Sequence, residues 1–332
     1  FLFSVYGILM TDFEMRHFLS LIDYSSAEIQ ELFDHAIDLK SKFRLENRRD
    51  PILNRCVAAM IFEKQSLRTR VSFETGIQHL GGSCLYLSGD DVGWGGEREA
   101  IRDFSSVLSS YVDIIICRAK SHQSVVELSE NSSCPVINAL TDLYHPCQSL
   151  ADALTMMENC DDLQSEKLAF IGDANNVSRS LAIICAKLGI QFSVASPQGY
   201  QFDDCFVEQL LGMGEQVHFN QTLDPVEAVD QAGFVYTDVW TSMGQEVEKD
   251  ERRAAFKDYQ VNARLMSCAK EDAKFLHCLP ANRGEEVTDE VMDSPNSLVI
   301  QQAENRMHAQ KGLMTWLLGP GKSKSNVTTN AI

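Results

Sequence analysis

The sequence predicts an α/β protein of two domains, each a mainly parallel sheet flanked by helices. Three observations carry this expectation. At 332 residues the chain is longer than one hydrophobic core ordinarily organises, and two domains of about 150 residues each is the prior. Short apolar runs alternate along the chain with stretches of helical periodicity, as parallel strands do when helical crossovers join them. Polar residues of unusual type cluster just after the apolar runs, and open parallel sheets bind ligands beyond the carboxyl ends of their strands.

Taken in order, the run FLFSVYGILM is apolar but lacks the basic start and small-residue cleavage site of a signal peptide, and it is too short to span a bilayer. Residues 1–14 are expected to be an N-terminal extension. From Met15 the chain reads as a domain start, with Ser25 or Ser26 placed to cap a helix that has Glu28 near its beginning. CVAAMIF (56–62) reads as a buried strand. Phe73, Ile77 and Leu80 then recur at helical spacing until Gly81-Gly82 stops the pattern, with Ser66 where the N-cap belongs. DIIICRA (113–119) and PVINAL (135–140) read as further strands of the first half. ADALTMMENCDDL (151–163) reads as a long helix connecting the halves. KLAFIGD (167–173), QFSVASP (191–197), GFVYTDVW (233–240) and KFLHCLP (274–280) are the strand-like runs of the second half, with amphipathic stretches at 178–188 and 202–212. AENRMHAQKGLMTWLLG (303–319) is a helix ended by Gly319-Pro320, and the polar segment 320–332 is expected to be a disordered tail.

The chain carries 29 basic and 47 acidic residues, a net charge of −18. Nucleic acid and anionic membranes both call for a basic surface and are disfavoured as partners. An anionic substrate would have to be held by a local basic cluster. Ten cysteines are scattered without a CxxC pair, and Cys56, Cys117 and Cys185 lie in apolar runs as small core residues. A reducing, cytoplasmic setting is the expectation.

One such basic cluster exists. In EKQSLRTRVSFE (63–74), Lys64, Arg68 and Arg70 put three cations into seven residues at a helix start, where the dipole disfavours cations. A phosphate bound there turns that conflict into complementarity: free N–H groups, the hydroxyls of Ser66 and Thr69 and two guanidinium forks would all face it. A solvated basic face fits less well, because residues two apart do not share a helix face. In DLYHPCQSL (142–150), Pro146 suits a first helical turn, and His145 and Gln148 sit at the mouth of a strand–helix junction. Arg118 closes an apolar strand and needs an anion or an exit to water. GDANN (172–176) has the place of a nucleotide-binding turn without GxGxxG, so Asn175 and Asn176 either bind the polar ends of a small molecule or cap a helix. Asp238 either holds a substrate ammonium or caps, and Cys278 stands at a strand end beside a proline turn. His277, Cys278 and Cys147 lack the clustered spacing of a zinc site, and no metal is expected.

Together and in this order, SLRTR, HPCQ, GDANN, DVWTSMGQE, HCLPANRGEEV and AENRMHAQK resemble the successive motifs of the aspartate and ornithine carbamoyltransferases, most closely the ornithine branch, over residues 15–318. The resemblance implies a carbamoyl phosphate-binding domain at 15–150 completed by the last helix (303–319) packing back on it, and an ornithine-binding domain at 151–302. It implies that Ser66, Leu67, Arg68 and Thr69 hold the phosphate with Arg70 close by. Arg118, His145 and Gln148 would hold the carbamoyl group, and Cys278, Leu279 and Arg306 would close the site. Asn176, Asp238, Ser242 and Met243 would bind ornithine. Arg118, His145, Asp238 and Cys278 are the residues it implies for catalysis. It implies homotrimers with active sites between neighbouring subunits, and a reaction that needs no cofactor.

Two departures qualify the acceptor. Leu67 stands where the family usually has Thr, and Gly93-Trp94 lies in a loop (88–100) where ornithine enzymes commonly carry a Gln or His that reaches a neighbouring subunit. Both departures resemble carbamoyltransferases for N-acylated ornithines, whereas the SMG at 242–244 resembles the ornithine enzymes. The alternatives are thus another acceptor, acylated ornithine or a diamine, or a non-catalytic carbamoyl phosphate-binding relative. Trp94 is expected either as a lid over a neighbouring site or as a residue tucked into its own domain. Whether the role is biosynthetic or catabolic stays open.

Overall fold

A computed structural model of the chain describes residues 15–95, 98–214, 217–241 and 246–319. The expected extension and tail lie outside the described residues, as do Ser242 and Met243. The first half forms a parallel sheet of β1 (Val57–Phe62), β2 (Ser83–Ser88), β3 (Ile114–Arg118) and β4 (Val136–Leu140), in the order β2-β1-β3-β4. The second forms a parallel sheet of β5 (Lys167–Ile171), β6 (Gln191–Ala195), β7 (Phe219–Thr222), β8 (Phe234–Thr237) and β9 (Lys274–His277), in the order β7-β6-β5-β8-β9. The strands absent from the sequence reading are β2 and β7, and both are sheet edges. SCLYLS and FNQT are only partly buried, so they lack the continuous apolar run that doubly covered central strands show.

The local chemistry of the helix starts is as the sequence suggests. Ser25 and Glu28 form a full capping box on the Ser26–Leu45 helix. Ser66 caps Leu67–His79, and Asn175 caps Asn176–Leu188 by accepting from the amides of Val177 and Ser178. The connecting helix differs from expectation. It runs Pro146–Met157, with Pro146 in its first turn, and stops before Asn159-Cys160-Asp161-Asp162. The boundary placed at 150/151 therefore falls inside a continuous, buried helix.

The Val299–Leu318 helix leaves the second domain and packs on the first, against Ser26–Leu45, Pro146–Met157 and Leu67–His79. Gly312 makes a close approach to the Ser26–Leu45 helix. A Cβ there would lie 2.7 Å from the Cβ of Ala36, so only glycine lets the two helices meet at this distance. The main core lies between the two sheets and joins Phe33, Phe73, Leu150, Leu154, Phe170, Tyr236 and Leu313. Each sheet has a second apolar layer on its other face.

Trp94 belongs to the outer layer of the first sheet. It is 7 % exposed and meets Phe104 edge-on, with ring centroids 5.8 Å apart. A short helix, Gly89–Val92, and left-handed Gly93 (φ 66°) turn the chain back so that the indole lands on its own domain. The lid reading of Trp94 is corrected: the ring is a core residue, and its burial contributes about 2–3 kcal/mol.

Candidate active site

The carboxyl ends of β1, β3, β4, β5, β8 and β9 all open onto one cleft of about 950 Å³ between the two sheets. Its first wall is basic. Ser66 Oγ accepts from the Thr69 amide (3.4 Å) and donates to Thr69 Oγ1 (3.1 Å), which fixes the first turn of the Leu67–His79 helix. Arg118 reaches Thr69 Oγ1 from the end of β3 (3.5 Å), where a register shift between Cys117 and Arg118 re-aims the side chain. Arg306, from the C-terminal helix, donates to Thr69 Oγ1 (3.2 Å) and to Gln148 Oε1 (2.6 Å). Thr69 is thus the node at which three elements distant in sequence meet.

Burial, together with Arg306 and Arg68, pulls Arg118 down to about 10, so it stays charged at neutral pH. Burial and the same guanidinium groups hold His145 well below the usual imidazole range. Its ring is therefore neutral at pH 7, and its Nδ1 is buried with no hydrogen-bond partner among the described residues. The backbone N–H of His145 donates to Ser180 Oγ of the second domain (2.8 Å).

The second wall is anionic. Asp238, just beyond β8, accepts from Asn175 Nδ2 on one oxygen (3.0 Å) and from the Cys278 thiol on the other (3.0 Å). Burial and the Asp238 charge push the Cys278 thiol far up, so it stays protonated. Leu279 follows with φ at 59°, a left-handed conformation that strains a branched side chain, and a cis bond to Pro280. Its N–H donates to His277 Nδ1 (2.9 Å), which leaves the ring proton on Nε2, facing Glu286 (3.2 Å). Asp238, His277 and Cys278 bring possible ligand atoms within 4.8 Å of one another, a grouping that chain spacing does not show. Both nitrogens of His277 are engaged, however, so the trio presents no ready metal site. Asn176 Nδ2 crosses to the carbonyl of Thr141 (2.6 Å) and ties the second domain to the first.

Of the residues singled out from the sequence, Ser66, Leu67, Arg68, Thr69, Arg118 and His145 line the cleft. So do Gln148, Asn176, Asp238, Cys278, Leu279 and Arg306. Arg70 does not join them. It pairs with Glu74 one turn on (2.9 Å) and lies over the Tyr86 ring (3.8 Å), on the helix face turned from the cleft. Cys147 is core, its thiol bonded to the Asn138 carbonyl. Sequence reasoning missed Arg252, a buried cation that pairs with Asp173, donates to the Trp240 carbonyl (2.5 Å) and stacks on Tyr200 (4.8 Å) along the second wall. Nothing in KDERRAAF marks one of its two arginines as buried.

The sequence pattern of "Aspartate/ornithine carbamoyltransferase, carbamoyl-P binding domain" matches residues 16–158, and that of "Aspartate/ornithine carbamoyltransferase, Asp/Orn binding domain" matches residues 164–317. The ornithine carbamoyltransferase of Bacillus subtilis is 49% identical over 324 residues, 97% of this chain and 100% of that protein. That of Halalkalibacterium halodurans is 49% identical over 305 residues, 91% of this chain and 95% of that protein. Among solved structures, ornithine carbamoyltransferase from Pyrococcus furiosus superposes with a TM-score of 0.87 at 45% identity, covering 91% of this chain and 96% of that one.

Proposed function

The chain belongs to the aspartate/ornithine carbamoyltransferase family, and from that premise we propose that it transfers the carbamoyl group of carbamoyl phosphate to the δ-amine of L-ornithine, giving L-citrulline and phosphate. The observation that carries the reading is the polarity of the cleft. One wall brings Arg68, Arg118 and Arg306 to a helix N-terminus, and the facing wall offers the Asp238 carboxylate held by Asn175 and a thiol. An acyl phosphate and an ammonium-bearing amino acid fit that pair of walls.

The phosphate sits at the start of the Leu67–His79 helix, on the hydroxyls of Ser66 and Thr69 and the forks of Arg68 and Arg306. The carbamoyl group lies against Arg118, His145 and Gln148. Ornithine binds the second wall through Asn176 and Asp238, with Ser242 and Met243 as the family resemblance implies. Its neutral δ-amine attacks the carbamoyl carbon. The carbonyl oxygen takes up the charge of the tetrahedral intermediate, and Arg118 and an N–H of the neutral His145 ring stabilise it where it forms. Collapse breaks the bond to the phosphate oxygen, and the phosphate leaves bearing charge that the guanidinium groups already face. The amine's proton passes to the departing phosphate, while Asp238 and the Cys278 thiol orient the acceptor. Much of the rate comes from holding two substrates in register.

By the family's habit, the protein works as a homotrimer in the cytoplasm, in arginine metabolism. Phosphate release from carbamoyl phosphate by the purified chain, compared across ornithine, N-acetylornithine, putrescine and aspartate, with citrulline identified as the product from ornithine, tests the reading. Ornithine is expected to be preferred over each of the others by at least about a hundredfold in kcat/KM, since Asp238 would lose its partner in the acylated amine and the diamine lacks an α-carboxylate. Preference for an acylated ornithine or a diamine would move the assignment to the other acceptor class.

A further inference from the structure

Beneath the floor of the cleft lies a carboxylate that touches no cavity surface. Asp152, on the Pro146–Met157 helix one turn after Gln148, is fully buried. One oxygen accepts from Gln148 Nε2 (2.8 Å) and from Gln302 Nε2 (2.7 Å), and the other from the Tyr236 hydroxyl (3.3 Å). Gln302 also donates to the Tyr236 hydroxyl (3.1 Å) and accepts, through Oε1, from the backbone N–H of His277 (2.9 Å). On the other side, Gln148 Oε1 accepts from Arg306. A buried line therefore runs from Thr69 through Arg306, Gln148 and Asp152 to β8 and β9 of the second domain.

We propose that Asp152 is a positioning residue for the carbamoyl-transfer reaction, holding the Gln148 amide and, through it, the Arg306 guanidinium in their working orientation while anchoring both to the second domain. The inference rests on the carbamoyl-transfer reading of the cleft. Its physical basis is an orientation problem. A glutamine amide can present either end, and Gln148 must present its oxygen to Arg306 and its nitrogen toward the cleft floor. The ionised Asp152 carboxylate only accepts, so it selects the Nε2 end and leaves the second amide hydrogen for the cleft. Two amide donors and a phenol serve this one buried carboxylate, and among the described residues no lysine or arginine is hydrogen-bonded to it.

The proton inventory agrees with this geometry. Burial raises Asp152 to about 7 against the lowering effects of Gln148, Gln302, Arg306 and Tyr236. The other titratable groups facing it are the Cys185 and Cys278 thiols, both pushed up and neutral at pH 7. Protonation on the oxygen that meets only the Tyr236 hydroxyl would turn that oxygen into a donor and take the charge from the one that holds Gln148 and Gln302, weakening both amide contacts. The site therefore loses organisation as pH falls through the neighbourhood of 7. The stability sign is opposite. A carboxyl with a raised folded value favours folding while protonated, and that contribution is lost as pH rises through 7.

Steady-state kinetics of the full chain from pH 5.5 to 9, with thermal midpoints at each pH, test the proposal. In Asp152→Asn, KM for carbamoyl phosphate is expected to rise at least about tenfold, with KM for ornithine within about threefold of wild type. The acid limb of kcat/KM for carbamoyl phosphate should vanish, and the midpoint at pH 8 should equal or exceed wild type. Tyr236→Phe, which removes one donor to Asp152 and nothing from the cleft, should move that limb to higher pH. Unchanged kinetics in Asp152→Asn, or a lowered midpoint with KM unchanged for both substrates, overturns the proposal. If Asp152→Asn does not fold, an unmoved limb in Tyr236→Phe overturns it alone. Absence of citrulline from the wild-type chain would instead overturn the reading of the cleft on which the inference rests.

Discussion

Arg68 and Arg70 show how far a residue's fate can be read from its neighbours in sequence. Both belong to one basic run, and their separation by two positions says that they cannot share a helix face. It does not say which of them faces the ligand. The structure turns Arg68 into the cleft and Arg70 out to Glu74 and Tyr86. Arg68→Ala should lower kcat/KM for carbamoyl phosphate by about 2–5 kcal/mol of transition-state energy, whereas Arg70→Ala should cost no more than about 1 kcal/mol, as for an exposed pair. Initial-rate measurements on the two variants check both values, and equal losses would contradict the assignment. On the facing wall, Asp238→Asn keeps the shape of the side chain and removes its charge. Ornithine KM should rise while inorganic phosphate, titrated calorimetrically, binds as in wild type. Loss of both would make Asp238 a structural residue.

At the scale of elements, what the sequence shows is what local chemistry decides. Central strands are continuous apolar runs because both faces are covered, and helix starts announce themselves through Ser25, Ser66, Asn175 and Pro146. Edge strands and partner choice are decided by tertiary contacts, so β2, β7 and the destination of Trp94 were not legible. A tryptophan among glycines looks unsupported until a turn at Gly93 delivers it to Phe104 and Ile101. Trp94→Ala should therefore destabilise by about 3–5 kcal/mol in denaturant melts and leave both Michaelis constants unchanged, the reverse of what a lid would do. The C-terminal helix supplies a pH-dependent case. Lys311 is buried in it, its Nζ 5.4 Å from the centre of the Phe43 ring, and burial with Arg49 nearby lowers it from 10.5 to about 8. The unfolded chain then binds more protons than the folded one between pH 8 and 10.5, so stability from this group rises with pH across that window. Lys311→Met should melt higher than wild type at pH 7, with the gap closing by pH 10.5. A gap that is constant with pH would remove the charge as its cause.

For the whole molecule, a net charge of −18 coexists with a cleft wall built from three arginines. The global field repels an anionic substrate, so recognition falls to local groups, and local groups leave motifs in sequence. That is why twelve cleft residues were legible as motif members, and why Arg252 and Asp152 were not. Arg252 hides in a charge run, and Asp152 sits on a helix that reads only as apolar. Asp152 matters because two domains close a polar line across the core, and Arg252 because Asp173, Tyr200 and Trp240 converge on it, and no window of sequence contains either set of partners. Carbamoyl transfer to ornithine requires the two walls of the cleft to be one reaction site. A crystal structure with an analogue that joins a phosphonoacetyl group to the δ-nitrogen of ornithine tests this most directly. The phosphonate is expected within about 3 Å of Thr69 and the guanidinium groups of Arg68 and Arg306, and the α-ammonium within about 3 Å of Asp238. A phosphonate bound away from the Leu67–His79 helix start, or an analogue that leaves Asp238 untouched, would contradict it.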